Sequence, residues 1–146
     1  MINVNSIMHE LLVLVSSNTM FISSNFVIQS GVPINVDPHL TPWIGILRGA
    51  KQFEPHLIGG RQPWRGFMDM SIYHQEYSEE PESDTWDRVE TVENEIINLI
   101  IANSNLNLNG TVELLNSVSA EPVFFDENVD QRFITNRITC SYRVRI

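Results

Sequence analysis

The side chains here with the widest chemical range are four histidines, a single cysteine and 18 carboxylates. His74 and Glu76 stand two apart in a stretch that alternates like a strand, so both project from one face. With His39, His56, Glu79 or Glu80 they would make a metal-dependent hydrolase the enzyme alternative. The spacing argues against it: there is no H-E-x-x-H, whose i, i+4 histidines hold zinc from a helix. Scattered histidines of this kind are usually surface or lightly buried residues. Cys140 falls on the apolar face of an alternating segment, where a thiol behaves as a small hydrophobe. No G-x-S-x-G elbow marks a nucleophile. Gly45 and Gly49, or Gly59-Gly60, are not followed by G-K-[ST], so no phosphate loop is present. Glu79-Glu80 adjoin Pro81, the composition of a solvated turn. The expectation is a protein that is not an enzyme and that needs no metal or cofactor.

The elements that position these residues follow from periodicity. Ile7, Leu11, Leu12, Leu14 and Val15 form a helical stripe from a Ser6 cap to about Ser17. Asn18–Leu40 is rich in Ser, Asn and Pro, and is expected to be loop with an extended piece at Phe26–Gln29. Pro38 and Pro42 bracket the turn before a short strand, Trp43–Leu47. Gly49–Pro63 has no usable period and reads as a long loop. Trp64–Tyr77 alternates, with Met68, Met70 and Ile72 on the dry face and Asp69, Ser71 and Gln75 on the wet one.

An acidic turn follows, then a helix of about Asp84–Asn103 with an apolar stripe of Trp86, Val89, Val92, Ile96, Leu99 and Ile100. Its Glu90, Glu93 and Glu95 are expected in solvent, and Trp86 in the core. Thr111–Val118 and Pro122–Phe125 are strand-like. Arg132–Ile146 alternates strictly near its end, with Ile138, Cys140, Tyr142 and Val144 on one side. Together these predict an α+β fold, an antiparallel β-sheet with two α-helices packed on one face. Residues 1–146 read as a single domain with a loop at about 49–63.

Composition bounds the rest. Apolar residues make up 42% of the chain, enough for an ordinary core. The most apolar stretch, Ile96–Ala102, is far short of the roughly 20 residues a bilayer crossing needs, so no membrane is expected. No base precedes Arg48, so Leu11–Val15 does not read as a signal peptide. Cys140 alone makes neither a disulfide nor a thiolate zinc cluster, which fits synthesis in a cytoplasm. The net charge of −9 opposes nucleic-acid wrapping. Charge is also segregated: nine acids and one base (Arg88) lie between Glu76 and Glu95, whereas Gln131–Ile146 holds four arginines and no acid. Copies of such a chain are suited to meet positive side to negative side.

The order of features carries a resemblance. An N-terminal helix precedes Pro42-Trp43-Ile44-Gly45-Ile46 and then Phe53-Glu54-Pro55-His56-Leu57-Ile58-Gly59-Gly60. A long strand from Trp64, an acid-capped helix from Asp84, the turn Asn109-Gly110-Thr111-Val112 and a closing amphipathic strand complete it. This resembles the tail terminator (tail completion) proteins of long-tailed bacteriophages, over most of the chain. The resemblance implies a virion protein, made in the host cytoplasm and placed at the head-proximal end of the tail. It implies a homo-oligomeric ring, generally a hexamer, that ends tail-tube polymerisation. Its partners would be the tail tube protein and the head–tail connector protein, with DNA passing through the lumen without specific binding. The expected contact with a neighbouring subunit or the tube is Phe53, Glu54, Pro55, His56, Leu57, Ile58, Arg61 and Trp64. Another head–tail connector, or a minor tail subunit, is the nearest alternative.

Overall fold

The computed structural model describes residues 4–31, 42–54, 65–78, 83–104, 112–122 and 132–145. Helix α1 spans Val4–Ser16. Ile7, Leu11 and Val15 recur at four-residue steps and are fully buried, which is what fixes this helix. The helix starts ahead of Ser6, which therefore lies in the first turn and is not the cap.

A second helix, α2, spans Thr19–Ser23 where the sequence reads as loop. Five residues are too few to display a period, but their ends are well specified. Asn18 caps the start: its Oδ1 accepts from the amides of Met20 and Phe21 at 3.0 and 3.3 Å. The end is closed by Asn25 at φ 56°, a left-handed conformation that asparagine tolerates. Its amide donates to the Ile22 carbonyl, and the Phe26 amide to that of Phe21. The Phe21 and Phe26 rings then meet at 5.0 Å, completing a Schellman end with its hydrophobic contact.

The chain enters β1 (Val27–Ser30), one residue later at each end than the extended piece expected at Phe26–Gln29. Strand β2 is Trp43–Glu54 and β3 is Arg65–Tyr77. Helix α3 is Ser83–Ala102, β4 is Val112–Pro122 and β5 is Phe133–Arg145. The five strands lie in the order β1-β2-β3-β5-β4. All neighbours are antiparallel except β1 and β2, which run parallel from Val27↔Trp43 to Ser30↔Ile46. The fold is α+β, with three helices and a mostly antiparallel sheet. The core lies between one face of the sheet (Ile44, Ile46, Met68, Met70, Ile72, Ile138, Cys140, Tyr142, Val144) and the stripes of α1 and α3.

Three further expectations need correction. Strand β2 continues to Glu54 where a loop from Gly49 was expected; a register shift between Arg48 and Lys51 breaks the alternation that would have revealed it. Residues 55–64 lie outside the described residues. Gln75 is 2% exposed and not on a wet face, and its Nε2 donates to Thr135 Oγ1 at 3.0 Å. Trp86 is 50% exposed and not in the core, while Val89, Val92, Ile96 and Ile100 of the same stripe are buried.

On the sheet face away from the helices, Trp43 is buried although it starts its strand. Its indole lies over Gly45, two residues on. A Cβ at Gly45 would stand 2.0 Å from the indole Cη2 and 2.4 Å from the Gly31 carbonyl oxygen. Glycine is needed here for close approach and not for its dihedral freedom. Gly45→Ala must therefore displace the Trp43 ring or separate β1 from β2. The expected loss is about 1–3 kcal/mol, the range of overpacking, measured as a lowered urea midpoint. A midpoint equal to wild type would show that the ring has room to move.

Candidate functional site

Period-2 alternation puts His74 and Glu76 on one face of β3, and the structure shows that face turned toward the helices. Both are buried, Glu76 to 3% exposure. The His74 Nε2 stands 3.7 Å from Glu76 Oε1, beyond hydrogen-bond reach. Neither ring nitrogen has a hydrogen-bond partner among the described residues. One side of the ring is covered by Phe26, with centroids 5.8 Å apart.

The counter-charge for Glu76 comes from α3. Arg88 Nε donates to both carboxylate oxygens, at 3.0 and 2.9 Å. Burial works to raise the Glu76 carboxyl, but the nearness of His74 and the pair with Arg88 outweigh this and hold it below the usual carboxylate range. Two further carboxylates of α3, expected in solvent, are also bonded. Glu93 accepts from Asn136 Nδ2 and Glu95 from Asn18 Nδ2, both at 2.9 Å. Glu90 is exposed as expected. Helix α3 is thus tied to β3, β5 and the α2 cap by one polar contact each.

Beside the Glu76–Arg88 pair lies a cavity of about 290 Å³. Met20 of α2, Phe26, Tyr77 at the end of β3 and Val92 of α3 form its apolar walls, and Glu76 and Arg88 its polar side. The Arg132 guanidinium sits 5.3 Å from the centre of the Tyr77 ring, a cation–π arrangement. The lining thus combines apolar walls with one neutralised ion pair.

The remaining chemistry-bearing residues are placed elsewhere. Cys140 is buried in the core, its thiol donates to the Met70 carbonyl, and burial pushes it up to about 12. A thiol so placed stays protonated. No three His, Cys, Asp or Glu side chains among the described residues are grouped to hold a metal. Of the expected contact residues, Phe53 and Glu54 end β2 in register with Gly66 and Arg65. Pro55, His56, Leu57, Ile58, Arg61 and Trp64, with His39, Glu79 and Glu80, lie outside the described residues. Sequence reading missed Arg88 as a functional partner. The available signal was that Arg88 is the one base in an acidic segment.

The Glu76 linkage has a definite sign. A carboxyl held low when folded contributes stability above its unfolded value, near 4.5, and that contribution is lost as pH falls through the folded value. Glu76→Gln should therefore be less stable than wild type at neutral pH in urea unfolding. The gap should narrow below pH 4.5, and a gap independent of pH would rule the linkage out.

No family model matches the sequence, and no curated protein matches it. The fold does have likenesses among solved structures. One is a chain of the "Virion of native gene transfer agent (GTA) particle", with a TM-score of 0.57 and 9% sequence identity. The alignment covers 93% of this chain and 92% of that one. What the two chains share is the fold, across nearly the whole of each.

Proposed function

We propose that this chain is a structural protein of a phage-like virion that works by self-assembly. Its ring, of about six copies, sits at the head-proximal end of a tail. There it ends tail-tube polymerisation and meets the head–tail connector. The observation that carries this reading is the likeness in fold to a virion chain over 93% of the length. The order of sequence features, similar to the tail terminators, supports the finer role.

The charge layout supports ring formation. Arg65 pairs in register with Arg145 and with Glu54; Phe67 pairs with Arg143, Met68 with Lys51 and Met70 with Arg48. Five bases thus gather in the rows where β3 begins. The acidic start of α3 (Asp84, Asp87, Glu90) follows the other end of β3, where Arg88 reaches back to Glu76. Nine rows of strand separate the levels of Met68 and Tyr77, about 30 Å. A subunit with poles of opposite sign associates head to tail, and a closed rotation makes that a ring. The net charge of −9 lets DNA pass the lumen without being held. The tail tube or a neighbouring subunit is met by Phe53, Glu54, Pro55, His56, Leu57, Ile58, Arg61 and Trp64.

Native mass spectrometry of the purified chain, alone and with tail tubes, should show a closed ring whose population falls as salt rises. A monomer under every condition, tubes included, would sink the proposal. Limited trypsin treatment probes the contact. Lys51 lies within the β2 ladder, so cleavage should fall at Arg61 in the free subunit and be suppressed in the ring. Equal rates in both states would move the contact elsewhere.

A further inference from the structure

Two stretches of the sheet are exposed at every residue: Arg48–Gln52 of β2 and Ser119–Pro122 of β4. Successive strand residues point to opposite faces, so both stretches are bare on both faces. By contrast, β3 and β5 have no exposed residue among those described. A strand of an antiparallel sheet ordinarily packs at least one face on the core. Each bare stretch also borders an open edge. β1 pairs with β2 only from Trp43 to Ile46 and ends before Gly31, at φ 133°. From Leu47 on, no described strand lies on that side of β2. β4 is last in the sheet order, and no described strand lies on its outer side.

The helix layer adds to the uncovered surface beside β4. Trp86 and Ile101 of α3 are exposed, 50% and 57%. At about 100° per residue they lie about 60° apart on the helix surface. They share the flank from which Glu93 reaches Asn136 of β5, the side toward β4. A strand added beyond β4 extends the sheet beneath this flank.

We infer that β4 of one copy pairs along its outer edge with the open half of β2 of the next, a contact that rests on the ring reading and specifies it. Three antiparallel steps separate the two strands, so β4 runs opposite to β2. A neighbouring copy in the same orientation therefore brings them together antiparallel. The part of β4 without a register shift is Ser117–Pro122, at the end of the sheet near the acidic start of α3. The open half of β2 lies at the other end, in the basic rows where β3 begins. Pairing opposite ends sets Ser117–Pro122 of one copy against Leu47–Gln52 of the next, with Ala50 facing Ser119. Such a stagger is what closing a sheet on itself requires. Both strands are also bent by register shifts, which shuts out flat, straight strands. β4 against a second β4 would use one edge twice and leave β2 bare. Unlike edges cover both stretches and repeat from copy to copy.

The test uses Ala50→Cys and Ser119→Cys, changes at small, exposed positions. Opposite residues of an antiparallel pair stand roughly 4.5–5.5 Å apart between Cα atoms, within disulfide range. Inside one copy the two strands are three spacings apart, roughly 14 Å, outside that range. Cys140 is buried and does not compete. Mild oxidation of the double variant should give covalent chains of copies, up to the full ring, on a non-reducing denaturing gel. An equal mixture of the single variants should stop at dimers, and either one alone should stay monomeric. Dimers from Ser119→Cys alone would mean β4 against β4 and overturn the inference. In wild type, amide exchange of Arg48–Gln52 and Asn116–Ala120 should slow at least ~10-fold on ring formation. Rings in which these amides still exchange fast, or in which the double variant yields no cross-link, overturn the inference and leave the ring reading standing. Wild type that never assembles overturns both.

Discussion

The Glu76 carboxylate at the end of β3 sets a requirement that much of the molecule serves. A charge almost out of solvent costs several kcal/mol unless it is paired, and removing one partner from such a pair costs about 3–5 kcal/mol. Arg88 supplies the pairing from the second turn of α3. Its exposed guanidinium brings the net energy toward the lower, solvent-screened end of that range. The geometric effect does not diminish in the same way. Once Arg88 is held on Glu76, the rotation of α3 about its axis is set. The Val92–Ile96–Ile100 stripe then turns to the sheet, and Trp86 is carried away from it.

The asparagine contacts make that rotation unique. Asn18 caps α2 through its oxygen and holds Glu95 through its amide nitrogen, so one side chain couples a five-residue helix to a twenty-residue one. Asn136 holds Glu93 on the opposite flank. A helix pinned on both flanks and at its start has no register freedom against the sheet. The cavity between α2, β3 and α3 keeps its shape for the same reason: each wall is anchored by a polar bond that apolar packing alone would not orient.

Where the sequence was legible, periodicity was uninterrupted. The closing strand places Ile138, Cys140, Tyr142 and Val144 in the core as its alternation requires, and α1 does the same with Ile7, Leu11 and Val15. His74 and Glu76 sharing a face was readable by the same rule. What was not legible depends on long-range pairing. The second half of β2 is hidden by its register shift, and α2 is specified by caps rather than period. Gln75 is covered because Trp43 and Thr135 adjoin it, one across the β2 ladder and one across the β5 ladder. Trp86 fits the apolar stripe by spacing, but Arg88 sets the helix rotation, and Trp86 falls outside the buried arc. The partner of Glu76 could not be found from β3 alone, since it arrives when α3 doubles back.

The position of β5 in the sheet governs the order in which this molecule can form. It pairs with β3 across 60 residues at Gln75–Thr135 and 70 residues at Met70–Cys140. The central strand therefore has only one neighbour, β2, until β5 has been made. Pairings of such long sequence separation slow folding, because loop closure precedes any gain from contact. Until β5 pairs, the edge of β3 that it covers is left open. The sheet is therefore finished from its middle: β4 has no strand to pair with, and β3 lacks its second neighbour, until β5 inserts between them.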